Sequence, residues 1–346
     1  MMKRICAILL CLSLVLGLVA CGGNGENPTG ETNKTPAGNE QTINQQGSSN
    51  GGTASNTNGD KNQIDLSNKG VVICYGDSIT EGMSMGKEYP YPTQLQRNLG
   101  EQIKVINGGV SGETSATIMA RANVVEISLA KDISFKAGQS EVFVENNFFL
   151  TADNEPVRFR YGKLGNELSC ASVVIDGKNY TLRGDGDDEY YLSRQDSSAA
   201  LTLKKGAKAK FDYSEAYDKA YCTIVLMGAN DSDLTADQLI ERYKKIAASS
   251  EKFIAIIPHY GTDYTKEFTE AFGNATVNLR EYCKEDVWKD YSLEKDKKDE
   301  YYMQGGNLSP KFSLDGNKGD CHLSALGYKV LAKLIYDKGV ELGYWN

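Results

Sequence analysis

Histidine is scarce in this chain: among 346 residues there are two, His259 and His322. Any imidazole base must therefore be one of them. The eight cysteines follow neither a disulfide framework nor a zinc-ligand spacing. Beyond the first twenty or so residues there is no further membrane candidate. Positive charge is also in deficit. The formal net charge of −8 argues against nucleic acid as a partner. It gives no support for docking on an anionic glycan by bulk charge either.

What is present begins with a targeting pattern. Lys3 and Arg4 precede an apolar run, Ile5 to Val19, that is short for a membrane span. Leu18-Val19-Ala20-Cys21 then resembles a bacterial lipobox, whose cysteine becomes the lipidated N-terminus after cleavage. An ordinary signal peptide or an uncleaved anchor would leave Cys21 incidental. Residues 1–21 are thus expected to be a lipoprotein signal. Residues 22–64 are Gly, Asn, Thr, Ser, Gln and Glu with few aliphatics, a composition that cannot offset its own ordering entropy and predicts a disordered tether. Such a protein would be exported and lipid-anchored to the membrane, facing the cell exterior, with the membrane as a partner through lipid on Cys21. Cys74 and Cys222 lie in apolar strand runs and read as core. A Cys283–Cys321 bridge is left open.

The most informative stretch is Val71-Val72-Ile73-Cys74-Tyr75-Gly76-Asp77-Ser78. An apolar run ends abruptly in turn residues, the pattern of a buried strand delivering a serine to a tight turn. In open α/β sheets, ligands bind at that edge. A serine there is a candidate nucleophile if a base is in reach; Gly-Asp-Ser alone fits a solvated β-turn equally well. Two more strand-like runs end in polar turns, at Asn107 to Thr114 and at Gly228-Ala229-Asn230-Asp231. His322 stands in a loop just before an apolar, helix-periodic segment for which Ser324 is a plausible N-cap.

Taken together, these blocks resemble the SGNH hydrolases, the GDSL esterases and lipases. Gly76-Asp77-Ser78 matches the first block. Asn107 to Thr114 matches the second, with Gly112 in the functional glycine position and Glu113 where aspartate is usual. Gly228-Ala229-Asn230-Asp231 matches the third in full. In the fourth, Asp320 precedes His322 by two residues instead of the usual three. The resemblance covers residues 65–125 and 218–346. It implies a flavodoxin-like three-layer α/β/α sandwich and serine ester hydrolysis without cofactor or metal. By that likeness Ser78 is the nucleophile, His322 the base and Asp320 the acid that orients it. Asp315, a backbone carbonyl, or a Ser–His dyad are the alternatives to Asp320. The Ser78 N–H, the Gly112 N–H and the Asn230 side-chain amide would form the oxyanion hole. The substrate would be a small-molecule or glycan ester, with a short acyl group such as acetyl. A lipase or thioesterase for longer chains is the alternative within the class. A non-catalytic binding lipoprotein on the same scaffold is the alternative outside it.

Residues 126–217 break the α/β pattern. Ile133 to Lys136, Glu141 to Glu145, Val157 to Tyr161 and Ala200 to Lys205 alternate apolar and polar residues, and Ser172 to Leu182 reads as a hairpin turning at Asp176-Gly177. This predicts a small all-β insertion: a carbohydrate- or partner-binding module, a rim over the acyl pocket, or a spacer. The acidic stretch Asp185 to Glu189 lacks the ligand spacing of a calcium loop and reads as a solvated turn. His259 follows the apolar run Phe253 to Pro258 and is considered as a substrate contact or a structural loop residue. Mass spectrometry of membrane-extracted protein is expected to find a diacylglyceryl group on an N-terminal Cys21; a mature form starting elsewhere would refute the lipobox.

Overall fold

The computed structural model describes residues 70–158, 172–184, 189–212, 220–314 and 321–345. The expectations for residues 1–64, including Cys21, and for Asp315, Asp320 and the acidic turn at 185–188 lie outside these residues. All described residues lie within the unit Asp60–Asn346.

The first strand, β1 (Val71–Gly76), leads into a short helix, α1 (Ser78–Glu81), and then α2 (Tyr91–Leu99). After β2 (Lys104–Gly109) comes α3 (Ser115–Arg121). Among the described residues ten strands follow: β3 (Ile127–Leu129), β4 (Ile133–Phe135), β5 (Glu141–Glu145), β6 (Phe149–Thr151), β7 (Pro156–Val157), β8 (Ser172–Ile175), β9 (Lys178–Gly184), β10 (Glu189–Ser193), β11 (Leu201–Leu203) and β12 (Lys208–Asp212). The α/β pattern then resumes with β13 (Ala220–Leu226), α4 (Ala236–Ala247), β14 (Lys252–Ile256), α5 (Thr265–Phe272) and β15 (Thr276–Val277). Helices α6 (Leu279–Lys284), α7 (Asp286–Asp290), α8 (Lys297–Gln304) and α9 (Ala325–Glu341) complete it.

Strands β2-β1-β13-β14-β15 form one wholly parallel sheet in that order. Its strands are buried on both faces, which is why they read as continuous apolar runs. Successive side chains divide between two cores. Val72, Cys74, Cys222, Ile224 and Leu226 pack with Tyr91 and Leu95 of α2 and Tyr328, Leu331 and Ile335 of α9. Ile73, Tyr75, Val225 and Ala255 pack on the other side with Ile118 of α3, Tyr243 of α4 and Phe268 of α5. The expected three-layer α/β/α sandwich is what forms. Strand order reverses direction at β1, with β2 on one side and β13 on the other. The crevice beyond the carboxyl ends of β1 and β13 is the topological switch point, where such sheets bind ligands.

The segment between α3 and β13 is antiparallel β structure, as its alternation predicts. Its larger sheet runs β5-β10-β9-β8-β12-β3-β6-β7, and β4 pairs with β11. In β5, Val142 and Val144 are buried and Phe143 is exposed. The β8–β9 hairpin turns at Asp176 and Gly177, with φ of 46° and 76°. Both values are positive, as a type I′ turn requires, and they suit Asp-Gly. This sheet buries its own core of Phe148, Phe149, Val173, Ile175, Leu192 and Phe211, to which α3 contributes Ala120.

Two glycines let α1 sit against the strand ends. A Cβ on Gly109 would lie 2.1 Å from the Glu81 nitrogen and 2.5 Å from the Thr80 carbonyl carbon. Those are backbone atoms and cannot swing away. A Cβ on Gly76 would lie 2.4 Å from the Leu226 oxygen. Gly109→Ala is therefore expected to lower stability by about 1–3 kcal/mol, the usual cost of overpacking, read as a lower urea midpoint. An unchanged midpoint would refute this account of the packing.

Candidate active site

Ser78 owes its position to a sharp strand-to-helix transition. Asp77 caps α1: its Oδ1 accepts a hydrogen bond from the Ile79 N–H at 3.1 Å. Ser78 is the first residue of α1, so its N–H has no acceptor within the helix. Gly82, at φ 85°, ends the helix after one turn.

His322 arrives from the far end of the sequence, and its backbone is pinned on both sides. The Leu314 N–H donates to the His322 carbonyl at 2.9 Å, and Ser324 N–H donates to the Phe312 carbonyl at 2.9 Å. Ser324 is the N-cap of α9, accepting from Gly327 N–H at 3.1 Å. His322 Nε2 lies 2.9 Å from Ser78 Oγ. Ser78 is 5% exposed and His322 half-buried. A hydroxyl hydrogen-bonded to an imidazole is the arrangement of a nucleophile and its base.

His259 also comes to this region, in a different capacity. It is 3% exposed, and its Nε2 stands 2.9 Å from the Cys321 carbonyl. A carbonyl only accepts, so that nitrogen carries the hydrogen. Burial pushes the His259 pKa down to about 4. This buried ring supports the residue before His322. Cys283 and Cys321 are both free thiols; the bridge left open by the sequence does not form. Cys321 Sγ lies 3.9 Å from His322 Nδ1.

The third side of the crevice is the loop from Val110 to Ser115. Gly112 adopts φ 80°, a left-handed conformation that glycine takes without strain. The loop's remaining polar groups are held from below. Val110 N–H donates to the Gly76 carbonyl at 3.1 Å. The Ser111 N–H donates to Glu81 Oε2 at 2.6 Å, and the Ser111 hydroxyl donates to the same oxygen. Asn230 Nδ2 donates to the Glu113 carbonyl at 3.0 Å. The Glu113 carboxylate pairs with Arg121 Nε at 2.6 Å, and Arg121 Nη2 donates to the Gly108 carbonyl at 2.8 Å. Asp231 accepts from both the N–H and the hydroxyl of Ser115 at 3.0 Å. Gly112 and Asn230 are themselves exposed. Thus Ser78, His322, Gly112 and Asn230 are brought to one sheet edge.

Sequence reading missed Glu81, Glu113, Arg121 and Asp231 as parts of this scaffold. Charged residues beside a motif ordinarily read as solvated surface, yet Glu81, Glu113 and Arg121 are buried. Their partners lie across separate elements, which no local pattern reveals. Burial pushes the Glu113 carboxyl up to about 7 against the pull of Arg121. Burial likewise raises Asp77 to about 6, opposed by the Ile79 and Ala229 amides and by His322.

No family model matches the chain, and no curated protein matches it. Among solved structures it is similar to TesA, at 14% identity over 79% of this chain and 99% of that one, with a TM-score of 0.36. It is also similar to a carbohydrate acetylesterase family member from Sinorhizobium meliloti, at 13% identity over 79% and 99% of the two chains, TM-score 0.33. A lipase/acylhydrolase from Enterococcus faecalis stands at 14% identity over 79% and 96%, TM-score 0.35.

Asp77 gives the site a pH signature. A carboxyl whose pKa rises from 3.8 to about 6 on folding binds protons more tightly in the folded state. Its contribution to stability is present below the unfolded value and is lost as pH rises through about 6. The loss is about 1.4 kcal/mol per pKa unit of difference. Asn keeps the capping oxygen but does not titrate. Melting temperatures of wild type are therefore expected to fall relative to Asp77→Asn between pH 4 and 6.5, and parallel curves would rule this out.

Proposed function

We propose that this chain is a serine carboxylic-ester hydrolase of the SGNH type. The observation that carries the reading is the 2.9 Å contact between His322 Nε2 and Ser78 Oγ, residues 244 positions apart. It stands at the switch point of a parallel sheet, next to the loop of Gly112 and the Asn230 amide. Ser78 Oγ attacks the ester carbonyl while His322 Nε2 takes its proton. The resulting oxyanion is met by the N–H groups of Ser78 and Gly112 and by Asn230 Nδ2. One such donor is worth about 2.7–4 kcal/mol of barrier. Collapse of the tetrahedral intermediate breaks the bond to the alcohol, which leaves with the proton from His322. Water then attacks the acyl-enzyme by the same route, giving up its proton to His322 and releasing the acid and free Ser78.

In this reading His322 uses Nε2 toward Ser78, so its hydrogen resides on Nδ1 and needs an acceptor. Asp320 is proposed for that role, from its place in the fourth sequence block. The substrate is proposed to be a short-acyl ester, acetyl on a glycan, and the protein to act from the outer face of a membrane through lipid on Cys21. The targeting pattern, the tether and the family resemblance support these two steps.

Two substitutions test the chemistry. Ser78→Ala is expected to remove p-nitrophenyl acetate hydrolysis by several orders of magnitude with the fold intact, because nucleophile and base act as a unit. Asp320→Asn is expected to lower kcat by at least about a hundredfold with little change in KM, through the wrong imidazole tautomer. Most activity surviving in Ser78→Ala would defeat the mechanism. A mild Asp320→Asn effect would move the orienting role elsewhere. A panel of esters graded in chain length, with acetylated glycans included, decides the acyl preference.

A further inference from the structure

The polar network under the Gly112 loop does not stop at the α/β sandwich. Arg242 of α4 extends a guanidinium fork between two parts of the protein. Its Nη1 donates to Ser115 Oγ at 2.7 Å and stands 3.4 Å from Asp231 Oδ1. Its Nη2 donates to Glu155 Oε1 at 2.5 Å. Glu155 belongs to the β insertion, in the turn between β6 and β7. Its backbone is fixed there: Glu155 N–H donates to Thr151 Oγ1 at 3.1 Å, and its carbonyl accepts from Thr151 N–H at 2.9 Å. The Arg242 side chain is 12% exposed and that of Asp231 8%, so this arm of the fork is weakly screened, whereas the Glu155 side chain, at 37%, is open to solvent.

The placement of these partners gives the network a purpose. Asp231 adjoins Asn230, and Ser115 lies three residues after Gly112. Asp231 and Ser115 are bonded to each other through both the amide and the hydroxyl of Ser115. Arg242 closes that pair into a three-membered cluster, and Glu155 sets the plane of the guanidinium. Two more ties bind the insertion to the same stretch of chain. Arg158 N–H donates to Thr117 Oγ1 at 2.8 Å. The Asn123 side chain both accepts from Phe211 N–H at 3.0 Å and donates to its carbonyl at 2.9 Å.

We propose that Arg242, held in place by Glu155 of the insertion, is a positioning residue for the Gly112 and Asn230 donors, so that the insertion completes the catalytic site. This rests on the ester-hydrolase reading above. Arg242 does not touch substrate in this scheme. It fixes Ser115 and Asp231, and through them the aim of the two donors that meet the developing oxyanion. A lysine could not substitute, because one ammonium cannot present the planar, two-sided fork. Interactions of this kind act on the transition state more than on bound substrate, so kcat should carry the effect.

The test compares full-length wild type with Glu155→Gln, Arg242→Lys and the double variant. Three readouts are taken: p-nitrophenyl acetate kinetics, melting temperature, and hydrogen exchange of peptides spanning residues 110–117. Each single variant is expected to lose about five- to tenfold in kcat with KM nearly unchanged, the size of coupling found within one polar network. The double variant should lose no more than the worse single one, since both cut the same line of support. Exchange of 110–117 should speed up in all three while the melting temperature stays close to wild type. Unchanged exchange at 110–117 would overturn the proposal, as would multiplying losses or a kcat loss explained by unfolding. Should wild type show no Ser78-dependent turnover, the ester-hydrolase reading fails, and exchange alone decides whether Glu155 and Arg242 order the loop.

Discussion

A backbone N–H can face a ligand only if the rest of its loop is satisfied from behind. The segment from Val110 to Ser115 meets that requirement with groups drawn from the whole α/β sandwich. Gly76 supplies a carbonyl, Glu81 a carboxylate, Asn230 an amide and Asp231 a second carboxylate. Leaving any buried member unpaired would cost on the order of 1–3 kcal/mol, more for the charged ones. These contacts hold the loop from behind while Gly112 stays exposed. Of the two carboxylates that grip it, Glu81 ends the helix that follows the first motif block and Asp231 belongs to the third, which ties those blocks together at the sheet edge.

Convergence at that edge follows from the strand order. With β1 between β2 and β13, the chain leaving β1 delivers Ser78, the chain leaving β2 delivers Gly112, and the chain leaving β13 delivers Asn230. The base comes last, from the loop that starts α9, and a separate set of contacts carries it in. The Ser313–Leu323 bridge, the Ser324 cap and the buried ring of His259 fix the backbone on either side of His322. His259 and His322, the two histidines of the chain, thus differ in environment: one is buried and locked neutral against a carbonyl, the other half-buried and in contact with a hydroxyl.

The β insertion is more closely joined to the sandwich than its separate core would suggest. It packs its own apolar residues, yet α3 shares Ala120 with that core, and α3 begins at the Gly112 loop. Asn123, Thr117 and Arg242 then tie the two parts with polar contacts. The β segment and the crevice are thereby coupled through one short helix and its flanking residues.

Hydrophobic pattern marked the strands that matter, and the resemblance of the motif blocks supplied the fold class. Buried parallel strands need apolar residues on both faces, half-buried antiparallel ones need alternation, and both signatures are local. Turn chemistry was equally readable at Asp176-Gly177, and the Ser324 cap likewise. Ser78, Gly112, Asn230 and His322 were legible because each closes a strand or opens a helix within a recognisable block. The partners of Glu81, Asp231, Arg242 and Glu155 were not, and for His259 a structural role was one of two readings, with its partner unspecified. Their functions lie in contacts that span up to 127 positions of sequence. A charged side chain carries no local mark of whether it will meet water or a buried partner. Only the folded chain, by removing water from around those groups, makes their pairing obligatory and fixes which partner each one takes.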